Sequence, residues 1–195
     1  VQIFKGGFME GGGIAVSIIV AMDLHGTIGN SKKTDGLPWP RHRKDMKRFV
    51  EITKHNPVII GRVSYDFVPP KYRPFRDRPT IVVTHDIDYD AGKGAYVADS
   101  PDTALTLAVA IAEEDGAEEV MVAGGAQIYS YFLEARAVDR IYLTQIQGVF
   151  EGDAKCPLNP AHDEWRIIQD SIICTEPDAE NPFRMTFSTL ERKPR

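Results

Sequence analysis

At 195 residues, with 43% apolar and 26% charged side chains, the chain is long enough to bury a core and has the composition of an ordinary globular domain. A formal net charge of -5 argues against a nucleic-acid partner, which selects for a basic face, and no apolar run reaches the roughly 18 residues that cross a membrane. Cys156 and Cys174 stand outside any C-x-x-C or metal-ligand spacing, and His25, His42, His55, His85 and His162 form no H-x-x-x-H pair, so reduced thiols in a cytoplasmic protein are expected, without a bound metal.

Residues 1–15 hold Gly6, Gly7, Gly11, Gly12 and Gly13 and no basic segment followed by an apolar one, so they read as a leader or flexible tail. The domain is expected over residues 16–195, acting as a monomer. Val16 to Met22 reads as a buried strand. Arg41 to Lys54 reads as a helix with Met46, Phe49, Val50 and Thr53 on one face. Pro57 to Ile60 is a short strand, and Gly61 turns into a short helix from about Ser64. Thr80 to Thr84 is the next strand. Ser100 caps a helix with Pro101 at its first position, running to about Asp115. Glu119 to Ala123 is a strand ending in Gly124-Gly125-Ala126, followed by a helix through Leu133. Arg140 to Ile146 is a strand. Trp165 to Thr175 and Phe183 to Glu191 form a closing antiparallel pair around the turn-rich Glu176 to Pro182. The pattern is α/β: a mixed, mainly parallel sheet with an antiparallel C-terminal strand pair and helices on both faces.

Four constellations can carry chemistry. Asp45 follows Gly36-Leu37-Pro38-Trp39 and falls early in its helix, where a carboxylate complements the helix dipole. It also shares a face with Phe49 and Ile52, and a carboxylate on an apolar face must be paired or functional. Ile59-Ile60-Gly61-Arg62-Val63-Ser64 is a strand-glycine-helix unit whose N–H groups and arginine suit an anion. Val122-Ala123-Gly124-Gly125-Ala126-Gln127-Ile128-Tyr129 lets a backbone approach a ligand closely, although it is not G-x-G-x-x-G and serves equally as a tight turn. Arg73-Pro74-Phe75-Arg76-Asp77-Arg78-Pro79 offers guanidinium groups to a carboxylate, or to solvent. Glu113-Glu114-Asp115 and Glu118-Glu119 read as a solvated helix end. Asp86, Asp88 and Asp90 lack the glycine and terminal glutamate of a calcium loop.

From Val16 to Lys193 these elements, in this order, resemble dihydrofolate reductase. The resemblance is carried by Ile28-Gly29, Leu37-Pro38-Trp39, Asp45 with Phe49, Val58-Ile59-Ile60-Gly61-Arg62, Gly124-Gly125, Tyr142-Leu143-Thr144 and Glu151-Gly152-Asp153. It implies the three-layer fold of that family and the NADPH-dependent reduction of 7,8-dihydrofolate, with hydride transfer to pterin C6 and protonation at N5. It implies Asp45 as the only ionisable group of the pterin pocket, with a raised pKa, supported by Thr144 and by Trp39 beside an ordered water. Phe49, Val20, Ala21, Val68 and Phe75 then line the folate site, and Arg78 grips the carboxylate of the glutamate tail. Ala21, Ile28 and Gly29, then Gly61, Arg62, Val63 and Ser64, then Thr84 and His85, and finally Ala123, Gly124, Gly125, Ala126, Gln127, Ile128 and Tyr129 hold the cofactor. A cis Gly124-Gly125 bond and a mobile loop over Ile28 to Leu37 are implied as well, and antifolates are implied ligands. Gln127 stands where many members carry a basic residue, and Val63 where a polar one is common. Two rivals share the fold: a pyrimidine reductase of riboflavin synthesis, which does not need the Trp39, Asp45 and Arg78 set, and a non-catalytic binding protein, which does not need both Asp45 and the glycine pair.

Overall fold

The structure, a computed structural model, describes residues 13–86, 88–168 and 173–194. Expectations for the first twelve residues lie outside them. In chain order the elements are β1 (Ala15–Met22), β2 (Thr27–Gly29), α1 (Arg43–Thr53), β3 (Val58–Gly61), α2 (Arg62–Asp66), a 3-10 turn (Pro70–Tyr72), β4 (Thr80–Val83) and β5 (Ala95–Ala98). There follow α3 (Pro101–Asp115), β6 (Glu119–Val122), α4 (Ala126–Glu134), β7 (Arg140–Ile146), β8 (Ala154–Lys155), β9 (Trp165–Ile167), β10 (Ile173–Thr175) and β11 (Met185–Arg192).

The main sheet runs β10-β11-β7-β1-β6-β3-β4-β5, with β9 also paired to β11. From β7 to β5 every neighbour is parallel, whereas β11 is antiparallel to β7 and β9 and β10 are antiparallel to β11. This is the expected mixed sheet. The inner strands are nearly continuous apolar runs because both faces are covered. The pleat sends Ile18, Ile59, Ile81 and Val122 to the face packed by Leu105, Ala108 and Phe132 of α3 and α4. Ile19, Val58, Ile60, Val82 and Met121 go to the other, against Phe49 and Ile52 of α1 and Tyr65 of α2.

Local signals explain most boundaries. Ser100 accepts from the Thr103 N–H and Pro101 opens α3, while Gly116, at φ 69°, stops it. Helix α1 starts at Arg43, two residues later than expected, because His42 is still extended. Its apolar face also differs from expectation. Phe49, Ile52 and Thr53 turn inward, but Met46 and Val50 remain 38% and 45% exposed, because they face a cleft that no protein atom fills. Helix α2 begins at Arg62, directly on Gly61. Of the strand expected from Trp165 to Thr175, the described residues hold β9 and β10, both laid on β11, and residues 169–172 lie outside them; β11 begins at Met185, after the turn closed by the Asp178–Asn181 bridge. Ala15, assigned to the leader, already pairs with Glu119 in the sheet.

Glu119 is not part of a solvated helix end. It stands on β6, where its carboxylate meets Arg140 and accepts from the Tyr142 hydroxyl at 3.0 Å; Arg140 also reaches Glu191 at 3.3 Å. Cys156 is a buried free thiol, and the Cys174 side chain lies outside the described residues.

Candidate active site

Strands β1, β3, β4 and β6 are parallel, so their C-terminal ends open on one edge, where α/β sheets bind ligands. A cleft of 1910 Å³ lies there, larger than the roughly 300–1000 Å³ of a pocket for one small molecule. Every residue that the resemblance assigns to the substrate or cofactor borders it, from Val20 and Ala21 at the end of β1 to Thr144 on β7, whereas Arg73 and Arg76 of the arginine-rich loop do not.

Asp45 occupies the first turn of α1, half-buried, with apolar neighbours and the buried Thr144. Burial pushes its carboxyl above the usual carboxylate range, and the Thr144 hydroxyl, Arg48 and His42 hold it partly back. Trp39, only 3% exposed, is wedged edge-on against Phe150 at 5.7 Å between ring centroids, which fixes the wall on this side.

The glycine turns after β3 and β6 interlock. The Gly61 N–H donates to the Gly124 carbonyl at 2.7 Å, and the Ala123 N–H to Ile59 at 2.8 Å. Gly124-Gly125 is cis, as expected, and a second cis bond precedes Pro74. Gly124 sits at φ 116°, over the ring of Tyr129, whose hydroxyl donates to the Ile19 carbonyl at 2.7 Å. Tyr129 therefore supports the turn from below. A Cβ on Gly125 would stand 2.5 Å from Ser64 Oγ, so a side chain there would have to displace the Ser64 hydroxyl.

At the other end Arg78 is held by protein before any ligand arrives. Its Nε donates to the Arg76 carbonyl and its Nη1 to Thr53 Oγ1, both at 3.0 Å, and its guanidinium lies 5.0 Å from the Phe75 ring centroid. Phe75 meets Phe49 edge-on at 5.6 Å, so both rings form one apolar wall with Val68 close by. Arg62 borders the cleft but pairs with Asp66 at 2.9 Å. Ile28 and Gly29 are not loop residues; they form β2, paired with β8. Beyond them the chain folds back, with the Asn30 N–H on the Gly36 carbonyl at 2.9 Å, the Asn30 side chain on the Glu151 carbonyl and Ser31 on Asp153.

Two site residues escaped the sequence reading. Thr53 positions Arg78. Arg48, one turn after Asp45, lines the same cleft. The three-residue spacing was a legible signal for it.

A family model for dihydrofolate reductase matches residues 15–192. The chain belongs to the dihydrofolate reductase family. Two of its relatives within the family are dihydrofolate reductases of Staphylococcus haemolyticus, 32% identical over 92% of this chain and 96% of that one, and of Bacillus subtilis, 32% identical over 91% and 95%. The structure is similar to that of dihydrofolate reductase from Enterococcus faecalis, solved in complex with NADP(H) and a second small molecule, with a TM-score of 0.74, 28% identity and coverage of 92% and 96%. Family membership makes this chain an oxidoreductase of folate metabolism and accounts for a cleft larger than one ligand.

Proposed function

We propose that the chain reduces 7,8-dihydrofolate to 5,6,7,8-tetrahydrofolate with NADPH, by hydride transfer to pterin C6 and protonation at N5. The observation that carries the reading is Asp45: a carboxylate set into an apolar cleft, raised in pKa by burial and bordered by Thr144.

The residues present fit the cofactor. Helix α4 starts without a side-chain cap, and Gly125 before it carries no side chain beside the Ser64 hydroxyl, which suits a pyrophosphate resting on N–H groups. Gly61 to Ser64 and Ala123 to Tyr129 would hold the pyrophosphate and nicotinamide, with Thr84 and His85 toward the adenosine and Ala21, Ile28 and Gly29 beside the nicotinamide. Bound there, NADPH supplies the hydride.

The other steps belong to side chains of this chain. Asp45 accepts hydrogen bonds from the amino and ring nitrogens of the pterin. Its raised pKa lets the carboxyl hold a proton nearer neutrality, and so favour protonation at N5, directly or through a water. Thr144 orients the carboxyl, and Trp39 fixes the wall beside it. Val20 and Ala21 offer backbone groups to the pterin, Phe49 packs on the pterin and benzoyl rings, Val68 and Phe75 line the benzoyl channel, and Arg78, already aimed by Thr53, takes the glutamate carboxylate. The same reading has the enzyme working as a cytoplasmic monomer, with antifolates competing for the folate end.

The test is the absorbance of NADPH on addition of dihydrofolate to folded protein, with methotrexate as competitor. A fall that methotrexate suppresses is expected; no fall overturns the reading.

A further inference from the structure

Helix α1 carries a cation that the mechanism above does not use. Arg48 stands one turn beyond Asp45 and borders the same cleft. Its guanidinium is anchored toward β11 and β7. Nη2 donates to the Ser188 carbonyl at 3.2 Å, and Cζ lies 4.9 Å from the Phe187 ring centroid and 5.9 Å from that of Tyr142. Nη1 is buried and meets no hydrogen-bond partner among the described residues. One carbonyl and two ring faces are thin compensation for the hydration that a half-buried guanidinium gives up. The acidic group on the same face of the helix, at i, i+3, is Asp45; the two are not in ion-pair contact, and its charge acts on Arg48 through space.

We propose that Arg48 is a positioning residue for the reaction: a fixed cation that acts on the substrate through the Asp45 carboxylate. The inference rests on the reading of Asp45 as the acid of the cleft. The titratable and charged groups around Asp45 are few. His42, at the start of α1, is buried with Nε2 3.2 Å from the Phe183 carbonyl. Tyr142 on β7 is occupied with Glu119 and Arg140, and Tyr129 on α4 with the Ile19 carbonyl. Arg43, Lys44 and Lys47, also on α1, are paired with Glu180, Asp178 and Glu51. Of this set Arg48 is the permanent cation with no ion-pair partner of its own among the described residues.

The consequence is a balance. The apolar cleft favours the neutral acid, and Arg48 favours the carboxylate that grips the pterin. Each charge stabilises the other. With Arg48 neutralised, Asp45 should take up its proton about tenfold more tightly, a rise of about one pH unit in its midpoint.

The experiment is a carbon-13 carboxyl NMR titration of the full chain, with the Asp45 signal assigned by its loss in Asp45→Asn, run beside the pH profile of kcat. Arg48→Gln, which keeps a donor for Ser188, should raise the Asp45 midpoint by about one unit and move the kcat limb with it, and Arg48→Lys should restore both. A folded Arg48→Gln protein with an unchanged midpoint overturns the proposal. If that variant does not fold, Arg48→Met, whose stem can lie on Phe187, takes its place. If neither neutral variant folds, Arg48 is scaffold and the proposal falls. Failure of the underlying reading looks different: Asp45→Asn would then keep full turnover. An inactive Asp45→Asn with an immobile midpoint in Arg48→Gln refutes the role of Arg48 alone.

Discussion

Arg78 reaches back 3.0 Å to the hydroxyl of Thr53, which itself donates to the Phe49 carbonyl at 2.7 Å. The last turn of α1 thus aims the cation at the far end of the cleft. Arg78→Leu should raise KM for dihydrofolate roughly 30-fold, the effect of about 2 kcal/mol for a charge-assisted bond, with little change in KM for NADPH. Thr53→Val keeps the guanidinium but loosens it, so a smaller rise confined to dihydrofolate is expected. Steady-state kinetics with each ligand varied in turn checks both.

Asp45→Asn should separate activity from stability. Loss of the acid should lower kcat by about 100-fold or more near neutral pH. The folded-state pKa of Asp45 is raised by burial, so its contribution to stability is fully present below the unfolded pKa and is lost as pH rises through the folded one. Asparagine carries no such penalty. The variant should therefore melt above the wild type at neutral and alkaline pH, with the gap closing in acid. Thermal melts across pH decide it.

Ser64 and Gly125 should be coupled. Alanine at 125 would put its Cβ 2.5 Å from Ser64 Oγ, an overpacking that costs about 1–3 kcal/mol. Without that oxygen the nearest Ser64 atom is Cβ, at 3.9 Å. Gly125→Ala should thus be destabilised alone and largely recovered in the Ser64→Ala background. A double-mutant cycle of urea midpoints gives the coupling.

Asp23 is fully buried, and Oδ1 accepts from the His25 and Thr27 N–H groups at 2.8 Å while Oδ2 accepts from Phe150 at 2.9 Å. Burial pushes its pKa up, but these N–H groups outweigh burial and the net shift is downward. Its contribution is therefore present above the unfolded pKa and is lost as pH falls through the folded one. Asp23→Ala, which orphans three N–H groups, should cost about 2–4 kcal/mol at neutral pH. The difference from wild type should shrink in acid, as measured by urea unfolding.

Much of this was legible in the residues. Apolar runs such as Val16 to Met22 announced buried strands, and Ser100 with Pro101 marked the start of α3. What stayed hidden depended on tertiary partners. Strand β5 is four residues long with Tyr96 and Val97 both exposed, so it shows no alternation, and it exists because β4 offers an edge. Met46 and Val50 looked like core because an apolar ligand wall and an apolar core have the same composition. The anchors of Arg48 and Arg78 are a carbonyl on β11 and a hydroxyl at the end of α1, and neither announces itself as a partner in one dimension.

The placement of β1 has a consequence for assembly. It is a central strand, yet one of its neighbours, β7, comes late; the Val16 N–H is met by the Asp139 carboxylate, 123 positions on. During synthesis at about 5–20 residues per second, the first strand must wait many seconds, apolar on both faces, for the partner that will cover its edge. Such long-range pairing slows folding and leaves early intermediates open to aggregation. Chaperone dependence should accordingly be strongest before residues 140–146 have left the ribosome.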